Sequence, residues 1–449
     1  MRVVMFYHSL LSDWNHGNAH FLRGVVSDLL DRWHEVKVYE PHDAWSLKNL
    51  IAERGEDPIR EFSEAYPALK SIRYQLDQLD LDEALDGADL ALVHEWNDHE
   101  LVRRVGEHRA RAGNYRLLFH DTHHRSITDA NGMAGYDLSN YDGVLAFGRV
   151  IRDLYLSRGW AERAWAWHEA ADIRMFYPRT MCVDEESGGV QQGGNRAEES
   201  SGENSPHRPN TLATEYPTPP ALSWEHAGSV RSQGWHAGSV RSQGWHAGSV
   251  RSQGDLVWIG NWGDDERAEE LREFLIEPAR QLNLKTCVYG VRYPDLAREM
   301  LAGAGIEYGG WLPNYRAPGV FANYKFTVHV PRRPYAASLP GIPTIRVFEA
   351  LACGIPLVSA PWDDTENLFT PGEDYLIARN GGEMKRHLEA LIADVDLRNA
   401  LSEHGLRTIL SRHTCTHRVN ELLKICAELQ VNSLESMPAV GRRYKVAAG

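Results

Sequence analysis

An arginine and a glutamate three residues apart form the clearest candidate binding pair in this chain. Arg346 and Glu349 lie in the stretch GIPTIRVFEALACGIPLVSAP, residues 341 to 361. Pro343 and the apolar spacing after it predict a helix that begins near Thr344, followed by a buried strand. A helix N-terminus with an arginine attracts phosphate, and a carboxylate one turn later can accept hydrogen bonds from sugar hydroxyls. The pair therefore favours a nucleoside diphosphate ligand, with an ordinary ion pair on a helix as the alternative.

Further polar residues in the first part of the chain follow apolar runs. Strand-like and helix-like segments alternate here, which predicts a parallel doubly wound sheet. Such sheets bind ligands outside the carboxyl ends of their strands. We therefore expect cleft positions in the loop 13–20, after the run 88–94 and after the run 115–120. These candidates are His16, Gly17 and Asn18, then His94 and Glu95, then His120 and Asp121.

Each of these candidates has two interpretations. The loop 13–20 either approaches a ligand closely through Gly17 or forms only a helix cap and turn. Glu95 could orient an acceptor hydroxyl, and Trp96 could stack on a sugar or cap the core. The cluster FHDTHHR, residues 119–125, could also supply metal ligands. It lacks the helical i, i+4 histidine pair of a zinc protease, so we predict no metal.

Composition indicates a large enzyme. The 449 residues are long enough for two core-bearing domains, and 43% of them are hydrophobic. A net charge of −14 offers no general attraction for nucleic acid or anionic membranes. Five scattered cysteines favour reduced thiols. The N-terminal apolar run is too short for a secretory signal, and no stretch could span a bilayer. We therefore predict a cytoplasmic protein, and leave peripheral membrane contact open.

Residues 179–254 form a low-complexity segment between the two predicted domains. They contain three copies of HAGSVRSQG, and they are rich in Gly, Ser, Glu, Asn and Pro. We predict a disordered insertion; the alternatives are a docking arm that uses tryptophan and arginine, and a parallel β-solenoid, whose three short turns would bury little apolar surface. The predicted organisation is a first domain at 1–178, this linker, a second domain at 255–430 and a tail at 431–449.

The sequence also resembles a known family, the bacterial group 1 glycosyltransferases with the GT-B fold. The family pattern is a glutamate, seven residues, then a second glutamate followed by Ala-x-Ala-x-Gly-x-Pro. Glu349 to Pro356 match its second half, whereas Gly341 stands where the first glutamate would be. The run Asp172 to Pro178 resembles the signature that ends the first domain. The resemblance implies two Rossmann-like doubly wound domains that face a cleft.

The resemblance also implies roles for individual residues. Glu349 would hold the ribose of a sugar nucleotide, and His120 would form a hydrogen bond beside the donor sugar, with Asp121 fixing its tautomer. Glu95 completes the predicted catalytic set. The remaining predicted donor-site residues, four of them arginines, are Thr344, Arg346, Gly260, Asn261, Arg267, Arg332 and Arg333. We expect at least one of Arg267, Arg332 and Arg333 to be only a surface charge.

The predicted function is transfer of a sugar from a nucleoside-diphosphate sugar to an unidentified acceptor hydroxyl, without metal or other cofactor. The family likeness favours retention of configuration. If the reaction inverts, then Glu95, Asp121 or Asp13 would serve as the base. The alternatives are a sugar-nucleotide epimerase or hydrolase on the same fold, and a non-catalytic protein that binds sugar nucleotides. The predicted partners are therefore small molecules, and nucleic acid is not among them.

Overall fold

The first half of the protein is built around a parallel sheet, as the strand–helix alternation predicts. The computed structural model of the protein describes residues 1–179 and 253–435. Seven strands are arranged in the order β3-β2-β1-β4-β5-β6-β7, and all of their pairings are parallel. The strands are β1 (Arg2–Phe6), β2 (Glu35–Pro41), β3 (Ser71–Tyr74), β4 (Leu90–His94), β5 (Arg116–Asp121), β6 (Gly143–Ala146) and β7 (Ala164–Ala166).

A second parallel sheet of six strands forms the other half. Its order is β10-β9-β8-β11-β12-β13. The strands are β8 (Gly254–Ile259), β9 (Thr286–Tyr289), β10 (Glu307–Gly310), β11 (Tyr324–His329), β12 (Leu357–Ser359) and β13 (Leu376–Ile377). Two doubly wound sheets that face a cleft are the architecture of the GT-B fold, so the predicted fold class is confirmed.

Helices connect the strands on both faces of each sheet. Those before residue 180 are α1 (Asn18–Asp31), α2 (Trp45–Arg54), α3 (Asp57–Ala65), α4 (Leu81–Ala84), α5 (His99–Ala112), α6 (Arg125–Thr128), α7 (Ala130–Ala134) and α8 (Arg149–Ser157). Those after residue 252 are α9 (Ala268–Leu271), α10 (Glu277–Gln281), α11 (Asp295–Gly303), α12 (Ala317–Phe321), α13 (Arg333–Ser338), α14 (Ile345–Ala352), α15 (Gly381–Ala393), α16 (Val395–Arg412) and α17 (Cys415–Glu435).

One predicted helix is interrupted in the structure. The sequence pattern predicts a single helix from about 264 to 282, but a 3-10 turn at Asp264–Glu266 comes first, and a π-helical turn at Arg272–Ile276 separates α9 from α10. Pro278 lies in the first turn of α10. Proline has no N–H to donate and its ring would clash with the carbonyl four residues earlier. The wider π turn accommodates it.

The last helix of the chain packs against the first half. In α17, the Arg418 carbonyl accepts a 2.9 Å hydrogen bond from the indole of Trp167, and Asn420 accepts one of 2.7 Å from Arg32. One hydrophobic core contains both Phe21 of the first half and Val419 of α17. The chain thus crosses back after the second sheet, as the resemblance implies. The predicted boundary at residue 430 lies inside α17.

Other predictions are not decided by this architecture. Most of the predicted linker and most of the predicted tail lie outside the described residues, so the domain boundaries stay predictions. Among the helices of residues 1–179 and 253–435, none combines the length and the apolar composition needed to span a bilayer. The cytoplasmic location stays a prediction.

The close approach of α1 to α17 leads to a stability prediction. A Cβ on Gly24 would lie 2.4 Å from Cys415 Sγ and 2.7 Å from Asp172 Cβ. We expect Gly24→Ala to lower the free energy of unfolding by about 1–3 kcal/mol, because overpacking outweighs the helix propensity of alanine. Differential scanning calorimetry of the purified variant measures this effect.

The matched control is Gly319→Ala in α12, where no heavy atom lies within 4 Å of the added Cβ. This variant should be as stable as the parent protein or more stable, by up to about 1 kcal/mol. Equal effects of the two substitutions would contradict the close packing of α1 against α17.

Candidate active site

The carboxyl ends of the two sheets face one cleft of about 1740 Å³. Both sheets belong to the same compact unit, and side chains from both halves line this cleft. The predicted site residues that line it are His16, Gly17, Asn18, Gly260, Asn261, Arg267, Arg332, Thr344 and Arg346. The predicted site residues that lie outside its lining are His94, Glu95, His120, Asp121, Arg333 and Glu349.

The N-terminus of α14 opens into the cleft. Thr344 is its N-cap residue and makes no side-chain cap, since its hydroxyl is 3.0 Å from Nε2 of His329. Arg346 follows in the first turn, with 29% of its side chain exposed. The N-terminal end of α14, where the Ile345 N–H donates to the Glu169 carboxyl, and the Arg346 guanidinium therefore face the same space, an arrangement that binds anions.

Arg267 and Arg332 add positive charge to this end of the cleft. Arg267 is buried, and it donates to the carbonyls of Val330 (3.0 Å) and Asn261. Burial, together with the nearby charge of Arg332, lowers its pKa to about 9, so Arg267 remains a cation at neutral pH. Arg332 is only partly exposed and forms a 3.4 Å ion pair with Glu266.

Arg333 is the surface charge expected among these three arginines. Its guanidinium pairs with Glu270 at 2.7 Å, half of its side chain is exposed, and it lies outside the cleft lining. Arg332 and Arg333 are adjacent in sequence, and only the fold distinguishes them.

Glu349 is completely buried at the junction of the two halves. Its carboxylate accepts hydrogen bonds from Asn314 (2.6 Å) and Arg346, and it lies 3.1 Å from Nδ1 of His20. His20 Nε2 accepts the Asp172 N–H at 2.7 Å, so its proton must be on Nδ1, facing Glu349. Burial alone would raise the pKa of Glu349, but these partners outweigh it and hold the pKa below its usual value.

Both oxygens of Glu349 are therefore directed at protein groups. In this arrangement the side chain is outside the cleft lining, and the ribose contact implied by the resemblance stays a prediction. What the contacts establish is that Glu349 connects α14 to α1.

Gly341 occupies the position of the family's first glutamate for a steric reason. Its φ of +86° belongs to the left-handed region, and an added Cβ would lie 2.5 Å from Cγ of Glu366. Glu366 in turn accepts the backbone N–H of Arg149 at 2.6 Å and lies 3.1 Å from His168. The left-handed backbone and the contact with Glu366 both favour glycine at this position.

The loop between β1 and α1 crosses to the second half. Asp13 accepts hydrogen bonds from the Trp311 indole (3.2 Å) and the Asn314 backbone N–H (2.9 Å). It also forms an ion pair with Arg23 at 2.9 Å. Asn15 contacts Asn261 of the β8 loop. These contacts place His16, Gly17 and Asn18 opposite the arginines of the second half.

His120 and Asp121 are internal. The His120 ring packs on Trp167, and its Nδ1 shares a 2.7 Å hydrogen bond with the Tyr7 hydroxyl. Asp121 accepts hydrogen bonds from Ser126 and from the Tyr155 hydroxyl (2.9 Å), so the predicted contact with His120 is wrong. Burial lowers the pKa of His120 to about 3, which keeps the ring neutral.

His94 and Glu95 are buried beside them. His94 Nε2 lies 2.9 Å from the Thr122 hydroxyl, and Glu95 pairs with Arg125 at 3.2 Å. Burial, reinforced by Asp121, raises the pKa of Glu95 well above its usual value despite Arg125. The next residues outward, Trp96 and His123, line the cleft in their place.

The histidine cluster does not converge on one point. His120 faces Tyr7, His123 packs on Trp96, and His124 Nδ1 lies 2.9 Å from the Thr128 hydroxyl. Across residues 1–179 and 253–435, no three His, Cys, Asp or Glu side chains are placed to share a metal ion. The absence of a metal stays a prediction about the reaction.

Glu169 is a cleft residue that the sequence analysis missed. It is 8% exposed, lines the cleft, and accepts a 3.4 Å hydrogen bond from the Asn18 side chain. Burial and then the charge of Glu349 raise its pKa to about 8, so it is protonated at neutral pH. Its position inside HEAADIRMFYP, residues 168–178, was the available signal, because that run leads from the first half into the cleft.

Comparison with known proteins indicates which family this chain resembles. Residues 267–424 match the sequence model of the family described as "Glycosyl transferase-like". No curated protein sequence matches the chain at a significant level. Among solved structures, a sucrose-phosphate synthase from Thermosynechococcus elongatus is similar, at 13% identity and a TM-score of 0.57, over 96% of this chain and all of that chain.

Two further structures share the fold. HepE of Anabaena, solved with UDP and glucose, is 11% identical, with a TM-score of 0.56 over 95% of this chain and 100% of that one. An alpha-glucosyltransferase solved with UDP and a 13-mer DNA is also 11% identical, with a TM-score of 0.58 over 95% and 99% of the two chains. At such low identity these likenesses establish the fold alone.

The fold is therefore that of the GT-B glycosyltransferases, and residues 267–424 match a glycosyltransferase family model. The family match lies in the half that carries Arg346 and Glu349, and it confirms the resemblance to the group 1 type.

Glu169 leads to a prediction about pH. Its pKa is higher in the folded state, so folding favours the protonated form, and its contribution to stability falls as pH rises from about 4.5 to about 8. We expect Glu169→Gln to match the parent's melting temperature at pH 5 and to exceed it at pH 8. Thermal unfolding of both proteins across this range measures the difference.

Other buried carboxyls, such as Glu95, are present in both proteins. Their contribution to the pH dependence of stability therefore cancels when the variant is compared with the parent. A difference in melting temperature that is constant with pH would contradict the protonated state of Glu169.

Proposed function

We propose that this protein transfers a sugar from a UDP-sugar to a hydroxyl group of an acceptor. The observation that carries the proposal is the convergence of Arg267, Arg332 and Arg346 on the open N-terminus of α14. Three guanidinium groups beside a helix N-terminus match the charge of a diphosphate. UDP is the nucleotide bound in two of the similar structures, so it is the first one to test.

The cations of the cleft stabilise the negative charge of the leaving nucleoside diphosphate. In the transfer step, the bond between the anomeric carbon and the β-phosphate oxygen breaks, and its electron pair leaves with UDP. A new bond forms from the acceptor oxygen to the anomeric carbon. Arg332, Arg346 and the α14 N-terminus stabilise the charge that develops on the phosphate. We propose that no metal ion is needed at the diphosphate for this reason.

The three carboxyl groups that the sequence offers as the base of an inverting reaction, Glu95, Asp121 and Asp13, are poorly placed for that role, which favours a retaining reaction. Inversion requires a base at the acceptor hydroxyl, and Glu95 and Asp121 lie outside the cleft lining. Asp13 lines the cleft, but its two oxygens are engaged by Trp311, Arg23 and Asn314. Glu169 is protonated at neutral pH. In the retaining reaction that we propose, the leaving phosphate itself accepts the proton of the acceptor hydroxyl.

The activity test combines UDP-glucose and other UDP-sugars with a mixture of acceptors. Formation of a glycoside together with UDP supports transfer, and NMR of the new anomeric proton reports retention or inversion. UDP release that is independent of acceptor would instead indicate a hydrolase, and UDP binding without turnover would indicate a binding protein. Loss of activity in EDTA would contradict metal independence.

The adjacent arginines provide a matched pair of variants. We expect Arg332→Ala to weaken UDP binding by about 1.5–3 kcal/mol, a factor of roughly 10 to 100, since charged hydrogen bonds are lost. Arg333→Ala should leave the affinity within about twofold, because Arg333 pairs with Glu270 outside the cleft. Isothermal titration calorimetry with UDP measures both. Equal losses of UDP affinity in the two variants would contradict the proposed position of the diphosphate beside Arg332.

Glu349→Ala tests the ribose contact and the junction together. The substitution leaves Asn314, His20 and Arg346 without their buried partner, so we expect a loss of about 3 kcal/mol in unfolding free energy. We also expect UDP affinity to fall by about 1–3 kcal/mol. Titration at a temperature where the variant is folded separates the two effects. Unchanged affinity would exclude the ribose role.

A further inference from the structure

One arm of the cleft extends away from the arginines, along the carboxyl edge of the first sheet. We name it the acceptor arm. The lining residues that define it follow β2, β3 and β4, and they are Asp43, Trp45, Asp77, Trp96, Asp98 and Glu100. Its character differs from that of the donor end, because it combines exposed aromatic rings with acidic side chains.

Two tryptophans of the acceptor arm are exposed. Trp45 is 48% exposed and Trp96 is 40% exposed, and both line the cleft. Their ring centroids lie 6.3 Å and 6.1 Å from the ring of His16, with interplanar angles of 81° and 85°. Exposed apolar surface inside a concave site is typical of a ligand-binding surface.

Both rings are held in place by their neighbours. Trp45 packs edge-on against Trp14 at 5.1 Å, and the Arg125 guanidinium lies 4.7 Å from the ring centroid of Trp96. His123 packs against Trp96 from 5.1 Å. A pre-positioned indole loses little conformational entropy when a ligand stacks on it. The apolar face of a sugar ring, made of C–H groups, is a suitable partner, and its hydroxyls can bind the polar atoms around the tryptophans.

The charges of the acceptor arm oppose an anionic ligand. Its acidic side chains are Asp43, Asp77, Asp98 and Glu100, and its arginines are Arg104 and Arg125.

Part of this charge is balanced within the protein. Glu100 pairs with Arg103 at 2.7 Å, and Arg125 pairs with buried Glu95. Asp77 and Asp98, by contrast, have no ion-pair partner among residues 1–179 and 253–435, and Asp98 caps α5 by accepting the Glu100 N–H at 2.8 Å. Carboxylates that lack a cationic side-chain partner in a cleft repel phosphate, sulfate and carboxylate groups.

We propose that the acceptor is a saccharide that carries no anionic group, and that it stacks on Trp45 and Trp96. This inference rests on the proposed function and deepens it by naming the acceptor class. The cleft then has a cationic end for the diphosphate and an acidic, aromatic end for a neutral or amine-bearing sugar. His16 lies between the two ends, where the sugar is transferred.

The test measures binding and transfer with UDP and UDP-glucose present. The probes are a panel of neutral and amine-bearing oligosaccharides, the corresponding phosphorylated and carboxylated oligosaccharides, and a short DNA duplex. We expect acceptors only among the neutral and amine-bearing saccharides. Preference for an anionic saccharide or for DNA would overturn the proposal, and so would UDP binding without any saccharide binding. Absence of UDP binding would count instead against the proposed function.

Variants of the two tryptophans test the stacking surface. We expect Trp45→Ala and Trp96→Ala each to raise the acceptor KM or Kd by about tenfold or more, with UDP affinity within about twofold. Trp96→Phe should recover part of the loss, because it keeps an aromatic face. Trp33→Ala is the matched control, since Trp33 is 94% exposed and outside the cleft lining.

Asp77→Asn tests the charge argument separately. It should improve binding of phosphorylated saccharides at low salt by a few fold and leave neutral saccharides unaffected. The melting temperature of each tryptophan variant shows whether it is folded. Unchanged acceptor affinity in both folded variants would overturn the proposal that the acceptor stacks on Trp45 and Trp96.

Discussion

The buried carboxylate of Glu349 is the constraint on which the arrangement of the cleft depends. A charge that is removed from water is tolerated only when several donors compensate for its lost solvation. Here the donors come from three places: Arg346 on the same helix, Asn314 from the segment after β10, and His20 from α1 of the first half. The contacts that satisfy the Glu349 carboxylate therefore hold α14 against both α1 and the second sheet.

The same region positions the loop between β1 and α1. His20 lies in the first turn of α1, and the loop before this helix extends across the cleft, where Asp13 accepts hydrogen bonds from Trp311 and the backbone of Asn314. Gly17 lies against α14, and a Cβ there would be only 2.7 Å from Ile345 Cγ2. Asn314 contacts both Asp13 and Glu349. The donor end of the cleft is thus shaped by a continuous set of polar contacts between the two halves.

Charge is distributed unevenly along the cleft, and the proposed function gives this distribution a role in ordering the substrates. Arginines and a helix N-terminus surround the end where a diphosphate would leave, whereas carboxylates and indole rings surround the other end. Under the proposed function, a binding site with opposite character at its two ends would favour one orientation of donor and acceptor, and it would keep the anionic nucleotide away from the acceptor side.

The sequence by itself determined the two doubly wound domains and the cationic helix start near Thr344, because strand–helix alternation, apolar periodicity and helix signals are local properties of the chain. Short edge strands such as β7, with partly buried residues, were not recognised, since they lack a long apolar run. Only the tertiary structure decided which residues after each strand face the cleft. His120 and Glu95 proved to be internal, whereas Trp96 and His123, one to three residues later, are exposed to it. It also separated Arg332 from Arg333 and brought Glu169 beside Glu349, 180 positions away in the chain, because such contacts depend on how distant elements pack.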